Sequence, residues 1–326
     1  MIRSLIRILL LPLAAIVAAV AFPALAQDWP TKPVRFVVPF PPGGSVDPLA
    51  RLLATKLGDS LKQQFIVENR TGAGGSIGTA AVAKAPPDGY SWVFVFDTHA
   101  VNPALIPAMP FDTLKDLVPV MLVGTAPMAI STSPSKPYKT FADVVAAAKA
   151  KPDAVTFGTV GNGSLGQLAM ILVQQATGTK MTHVPYKGGG PMMADTMGGQ
   201  LELGVASVAA LAANVRGGKL RAVATTGEQR SHTMPDVPTL QEQGLKGFSA
   251  LAWWGILGTA GTPRPIVDRF HAELVKALNL PDVRKTLTET LGMDLRVSTP
   301  EAMQQFIVAE MARWGKVVRE NGVKPD

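Results

Sequence analysis

The 326-residue chain contains no cysteine. That absence removes disulfides, thiolate metal sites, iron–sulfur clusters and any cysteine nucleophile together. Histidine is scarce as well. His99, His183, His232 and His271 form no HxxxH or HExxH pair, so neither a metal nor a metal-dependent cofactor is expected. Charged residues make up 17% of the chain and aromatic residues 6%. The charges are scattered, with no basic run and no interleaved aromatic stripe, which excludes the footprint of a nucleic-acid binder. With 47% hydrophobic residues and a mean hydropathy of +0.21, the composition is not that of a disordered chain. Beyond the first 26 residues, no apolar stretch reaches the length of a membrane span.

The first 26 residues carry their own pattern. Arg3 and Arg7 precede an apolar run from Ile8 to Phe22, and Ala24-Leu25-Ala26 follows as a small-residue cleavage signature. This predicts a signal peptide cut after Ala26, hence export to the periplasm. The run is short for a membrane span, and a lipid-anchored form needs a cysteine at the mature N-terminus. Without Arg3 and Arg7 the remainder holds 29 basic and 24 acidic residues, about +5, a modest field suited to a small anionic ligand.

About 300 mature residues exceed one comfortable core, so two lobes are expected. Strand, glycine loop and helix recur along the chain, which predicts an α/β fold. Val34 to Val38 is followed by Phe40-Pro41-Pro42-Gly43-Gly44-Ser45. Asp47 and Pro48 then read as an N-cap and first-turn proline for a helix with Leu49, Leu52, Leu53 and Leu57 on one face, ending before Gly58. Similar units begin at Phe65, Val155 and Met181. Trp92 to Phe96, Leu201 to Val205 and Leu220 to Thr225 read as strands covered on both faces. Ser298-Thr299-Pro300-Glu301 reads as a capping box opening a long terminal helix to about Glu320. The chain is expected to pass between lobes near Gly124 to Pro127 and again near Gly247 to Gly255.

Helix N-termini beyond the carboxyl ends of strands present unsatisfied N–H groups, so the first glycine loop is read as an anion cradle built from Gly43 to Ser45 and the Ser45 hydroxyl. A tight turn without ligand is the alternative. Gly161-Asn162-Gly163-Ser164-Leu165-Gly166 matches GxGxxG after a strand and before a helix, but a dinucleotide site needs an acidic residue about 20 positions on. None stands between Gln167 and Ala194, so no nucleotide cofactor is expected. A nucleophile elbow needs glycine where Asn162 stands. His183, Tyr186 and Lys187 precede a third glycine loop, Gly188 to Gly190, as pocket wall or as acid–base groups. An exported hydrolase using Ser164 with His183 or His99 is the rival class. Thr98 and His99 follow the Trp92 to Phe96 strand at its functional end, where His99 reads equally as a packed residue. Trp253-Trp254 is read as packing.

Taken in order, these segments resemble the extracytoplasmic substrate-binding proteins of tripartite tricarboxylate transporters, the Bug-type receptors. The resemblance is carried by Val37-Val38-Pro39-Phe40-Pro41-Pro42-Gly43-Gly44-Ser45-Val46-Asp47 with Ala50-Arg51, and by Val67-Glu68-Asn69-Arg70-Thr71-Gly72-Ala73-Gly74-Gly75. It continues through Pro87-Asp88-Gly89-Tyr90, Thr98-His99-Ala100-Val101-Asn102-Pro103, His183-Val184-Pro185-Tyr186-Lys187-Gly188 and Gly261-Thr262-Pro263, essentially the whole mature chain.

The resemblance implies a two-lobed, periplasmic-binding-protein-like (type II) fold, each lobe a mixed sheet flanked by helices, with a carboxylated solute in the cleft. It places 27–126 and 251–326 in one lobe and 127–250 in the other. It implies ligand contacts at Phe40, Pro42, Gly43, Gly44, Ser45, Asp47, Thr98 and His99 from the first lobe, partly through bridging waters. From the second it implies Gly161, Asn162, Gly163, Ser164, Tyr186, Lys187, Ala206 and Ser207. It also implies a monomer that binds and delivers without catalysis, its partner an integral-membrane transporter; a sensor serving a signalling partner is the variant. Ala206 and Ser207 stand where relatives often carry Asp or Asn. A carboxylate for a ligand ammonium is missing there, so a non-amino mono- or dicarboxylate, aliphatic or aromatic, is expected.

Overall fold

Three short apolar segments near the N-terminus pair in parallel: β1 (Val34–Val38) lies between β2 (Phe65–Asn69) and β3 (Ser91–Phe96). Parallel neighbours need crossovers, here α1 (Val46–Leu61) and α2 (Ser76–Ala83). Strand order therefore reverses at β1, and the crevice opens beyond the carboxyl ends of β1 and β3. The computed structural model describes residues 29–325, so the expected signal peptide and its cleavage after Ala26 lie outside the described residues.

The sheet continues through two antiparallel strands absent from the strands expected above, β4 (Leu117–Thr132) and β9 (Leu251–Thr259). β3 pairs with β9, and β9 with β4 from Leu117 to Pro127. From Met128 onward β4 changes partners to β7 (Leu203–Ser207) and β8 (Arg221–Thr225). β5 (Thr156–Thr159) lies between β7 and β6 (Thr182–Pro185), all parallel. The crossovers are α5 (Leu165–Thr177) and α6 (Gly189–Met197). One long strand thus belongs to both sheets of a two-lobed mixed α/β fold. The other elements are α3 (Thr98–Leu105), α4 (Phe141–Ala150), α7 (Val208–Arg216), α8 (Arg264–Asn279), α9 (Pro281–Lys285), α10 (Pro300–Glu320) and β10 (Asp294–Leu295), which pairs with Thr125 and Gly124 of β4.

The two segments running between the sheets are tied to each other. Thr226 donates its N–H to Met128 O at 2.9 Å, receives the Met128 N–H on its hydroxyl at 2.8 Å, and donates that hydroxyl to Ala250 O. Ala250 N–H donates back to Thr226 O at 3.0 Å. One buried threonine thereby ties both passages together.

Packing explains the helices. α1 buries Leu49, Leu53 and Leu57 on the face that, with Phe270 of α8, covers Phe36 and Phe94. The rings of Trp92 and Phe270 stack at 4.3 Å, and each such fully buried side chain contributes about 1.5–3 kcal/mol. On the opposite face, Met303 and Ile307 of α10 pack with Val93, Trp253 and Leu257. Trp253 and Trp254 are buried, in agreement with a packing role.

Helix ends differ from the sequence reading in three places. α1 begins at Val46 with Ser45 at the N-cap, so Asp47 lies inside the first turn. Its last turn runs past Gly58 to Leu61, because Lys62 adopts the left-handed conformation (φ 55°) and donates to Gly58 O. At α10 the N-cap is Thr299 rather than Ser298, accepting from Ala302 N–H, so Glu301 falls at the second helical position, one too early to close a capping box with Thr299. The reciprocal box occurs instead at Thr140 and Asp143.

Candidate functional site

The loop from Pro39 to Ser45 joins β1 to α1. Pro41 and Pro42 have no N–H, so Pro42 shapes the loop and cannot donate. Gly43 takes φ +91°, and a Cβ there would meet nothing within 4 Å. The amides of Gly43, Gly44 and Ser45 donate to no group among the described residues. Ser45 is the N-cap, yet its side chain does not cap. Pro48, third in the helix, removes another donor. An uncapped helix N-terminus with free amides is a site for negative charge.

Asp47 is fastened away from that end. Its carboxylate accepts from Arg51 Nε (2.9 Å) and Nη2 (3.0 Å) and from Asn69 Nδ2 (2.9 Å). Burial pushes the carboxyl up, but the hydrogen bonds from Arg51 and Asn69 and the Arg51 charge outweigh it, and the group sits below the usual carboxylate range. Its charge is compensated and does not repel an anion at the neighbouring amides. Asn69 Nδ2 also donates to Phe40 O at 3.1 Å, so one side chain of β2 fixes both ends of the anion loop. Asn69→Ala is expected to lower the unfolding free energy by about 1–2 kcal/mol, read as a lower urea midpoint. An unchanged midpoint would remove Asn69 from this role.

Thr98 and His99 turn inward. Thr98 Oγ1 donates to Gly74 O at 2.8 Å, and Asn102 Nδ2 reaches the same carbonyl at 3.0 Å. The niche they share with Phe40 and Gly75 has no room for a water-sized sphere. His99 is buried and stacked on Phe111 with centroids 6.2 Å apart; burial pulls its pKa down to about 4, so it is neutral. Asp97, absent from the expected site residues, follows β3 directly at 1% exposure, with neither carboxylate oxygen in a well-formed hydrogen bond. Burial and the nearby Glu310 charge push its carboxyl well up, against the pull of the Thr98 and Leu165 amides. Leu165 opens α5 in the other sheet, so Asp97 sits where the two sheets' helices meet. An aspartate directly after an apolar strand was the available signal.

Across the cleft, the GxGxxG loop is largely self-satisfied. Gly163 N–H donates to Gln167 Oε1 at 2.7 Å, Gly161 N–H to Thr159 Oγ1 at 3.4 Å, and Ser164 N–H to Gly161 O at 3.3 Å. Ser164 Oγ donates to Gly161 O (2.7 Å) and lies 3.0 Å from Thr159 Oγ1, while His183 Nε2 lies 2.7 Å from Thr159 Oγ1. Thr159 therefore stands between Ser164 and His183, and no nucleophile–base pair is formed between them. A Cβ at Gly163, with φ +70°, would clash with Leu105 of α3, so this turn is a contact between the two halves. Gly163→Val is expected to hold the halves apart, raising the radius of gyration in X-ray scattering; an unchanged value would contradict that contact.

The third glycine loop is open. Gly188 (φ +111°) is the N-cap of α6, and its Cβ would lie 3.7 Å from Pro41 Cγ of the anion loop. Cβ atoms at Gly189 and Gly190 would meet nothing closer than 3.8 Å. Lys187, exposed beside them, makes no ion pair among the described residues. Tyr186 donates its hydroxyl to Asp195 at 2.6 Å; burial and the Asp195 carboxylate push the phenol up to about 12. Ala206 and Ser207 are buried at the end of β7, Ala206 paired with Ala129 and Ser207 at the N-cap of α7. The structure thus brings two helix N-termini, those of α1 and α6, together at one mouth with a lysine. A separate groove of about 430 Å³ between α5, residues 244–249 and Arg313 shares no residue with it.

Residues 49–323 match the family model described as the tripartite tricarboxylate transporter family receptor. Protein BugT of Bordetella pertussis is 38% identical over 309 residues, covering 94% of each chain. Among solved structures, Rpa4515 of R. palustris with adipate superposes with a TM-score of 0.87 at 32% identity, over 91% of this chain and all of that one. MatC from Rhodopseudomonas palustris with bound malate gives 0.82 at 32% identity, over 89% of this chain and all of that one. Members of this family are substrate-binding receptors rather than enzymes. With an uncapped glycine loop at a two-lobed cleft and a family match spanning nearly all of the described fold, the chain belongs to the tripartite tricarboxylate transporter receptor family.

Proposed function

We propose that this chain is an exported receptor that holds a small non-amino carboxylate between its two lobes and delivers it to a tripartite membrane transporter. The observation that carries the reading is the set of undonated amides at Gly43, Gly44 and Ser45, in a loop whose Pro41 lies 3.7 Å from a Cβ at Gly188, next in sequence to the exposed Lys187. Adipate and malate in two relatives of the same fold support a carboxylate as the guest. The lobes are 27–126 with 251–326, and 127–250; β4 changes partners after Pro127 and β9 opens at Leu251, which supports that division. Residues 1–26 direct export to the periplasm and are removed after Ala26, and the mature chain acts as a monomer.

The energetics suit capture and release. A carboxylate at a helix N-terminus gains about 0.3–1 kcal/mol, and each hydrogen bond to the charged group about 1.5–3 kcal/mol. After association and ordering costs, several such contacts leave about −8 kcal/mol, a micromolar affinity. A guest touching the α1 and α6 ends together favours the closed arrangement by its differential contacts. Ala206 and Ser207 offer no carboxylate to a ligand ammonium, Asp47 is taken by Arg51, and Asp97 is buried.

The test is a thermal-shift screen of the mature chain against malate, succinate, adipate, citrate, benzoate and aspartate. Ligand at one hundred times its Kd stabilises by about 2.7 kcal/mol, so a true ligand is readily seen. The expected result is a shift with non-amino acids exceeding that with aspartate. A larger shift with aspartate, or none with any acid, would overturn the reading.

A further inference from the structure

Ser45 occupies the N-cap of α1 in αR geometry (φ −79°, ψ −19°) and makes no cap bond. Part of the reason is covalent. An N-cap hydroxyl accepts from the second or third helical amide, and here the third residue is Pro48, which has none. The Ser45 oxygen is used elsewhere. It accepts from Nε1 of Trp254, 209 residues away on β9, at 3.1 Å.

An indole N–H donates and never accepts, whereas a hydroxyl does both. The bond therefore has one possible polarity, with Ser45 Oγ as acceptor. The hydroxyl proton of Ser45 then has no acceptor among the described residues. Both partners are held firmly: Ser45 is 7% exposed and Trp254 1%. Trp254 leans on Phe96 with ring centroids 5.3 Å apart, and its backbone pairs with Phe96 of β3 and Gly124 of β4. A buried hydroxyl with a filled acceptor site, an unplaced proton and free amides beside it is complementary to an anion.

We infer that Trp254 is a positioning residue for carboxylate capture: by donating to Ser45 Oγ it directs the Ser45 hydroxyl proton to a carboxylate seated on the Gly43 to Ser45 amides. The inference rests on the carboxylate reading above and adds a specificity device to that site. An N–H to O–H to carboxylate chain polarises along its length, so the indole bond tightens when the anion arrives. A neutral acceptor in the same place gains less.

The experiment uses the mature chain with malate, adipate and succinate as probes, read by calorimetry and by the indole Nε1–H resonances in a ¹⁵N spectrum. Ser45→Ala is expected to weaken binding by about 10- to 100-fold, the loss of one charged hydrogen bond. Trp254→Phe, which keeps an aromatic ring, is expected to weaken it by about tenfold, and the double variant binds no more weakly than Ser45→Ala alone. On ligand addition, the Trp254 resonance moves downfield in the wild type and stays put in Ser45→Ala. Should Trp254→Phe fail to fold, the comparison of wild type with Ser45→Ala still decides the matter. Losses that multiply in the double variant, or a Trp254 resonance indifferent to ligand in a wild type that binds, would overturn the inference and leave the receptor reading intact. If none of the three acids binds the wild type, that reading falls and the inference with it.

Discussion

Replacing Gly43 by tryptophan is expected to abolish stabilisation by carboxylates while the protein remains folded. Gly43 lies at φ +91° with nothing within 4 Å of where a Cβ would stand, so the branch point of a larger residue meets no atom, and the backbone conformation costs about 1–2 kcal/mol. From that position the indole is expected to cover the Gly43, Gly44 and Ser45 amides. Two lost hydrogen bonds to a charged group amount to about 3–6 kcal/mol, more than a hundredfold in affinity. Gly43→Ala is the control, because it carries the same backbone strain with little occlusion. The account expects both variants to unfold at similar temperatures without ligand, and only the alanine variant to gain on adding malate. A tryptophan variant that still responds to malate would move the site elsewhere.

The second large effect concerns Asp97. Its folded-state pKa is raised well above the ordinary 3.8, with burial the leading cause and the Glu310 charge adding to it. Glu310 is itself raised by burial, against the Trp314 indole bond at 2.9 Å and the Arg313 charge. A carboxyl raised in the folded state contributes its full stability below pH 3.8 and loses it as pH rises toward the folded value. Asp97→Asn removes that loss. The variant is expected to match the wild type near pH 3.5 and to exceed it at pH 7 by about 1–3 kcal/mol, the scale of an unsatisfied buried polar group. Urea titrations at several pH values measure the difference. A variant less stable than wild type at pH 7 would mean that the ionised carboxylate is held by the Thr98 and Leu165 amides after all.

The glycine loops were legible because proline and glycine punctuate apolar runs, and Pro41-Pro42-Gly43-Gly44 after Val34–Val38 admits little but a sharp turn at a strand end. The helix of residues 300–320 and the strands near 34, 92, 156 and 182 followed from periodicity in the same way. β4 did not. Its sequence contains Pro119, Gly124 and Pro127, which read as breakers, and the structure accommodates them at register shifts and at the change of partner strand. No local pattern announces a strand shared by two sheets.

Within the site, the division was similar. The free amides of Gly43 to Ser45 follow from local sequence. The bond from Trp254 to Ser45 links positions 209 apart, and only the closing of β9 against β3 brings them together. Asp47 looked like a cap because Asp-Pro opens many helices, but Arg51 one turn on and Asn69 on the adjacent strand hold its carboxylate inside the first turn. The resemblance implies ligand contacts at Gly161 to Ser164 as well, yet this loop is partly closed. Gln167 closes part of it by accepting the Gly163 N–H, a local contact at helical spacing that was available to be read. The more open lobe-two partner is Gly188 to Gly190 with Lys187.

The central claim is that main-chain amides at the mouth of the cleft hold the solute's carboxylate. A crystal structure of the mature chain grown with malate tests it most directly. The account predicts one carboxylate within hydrogen-bond distance, directly or through one water, of the Gly43, Gly44 and Ser45 nitrogens, with the Ser45 hydroxyl donating to it. A malate lodged in the groove beside Arg313, or bound by Lys187 with those three amides facing bulk solvent, would contradict it.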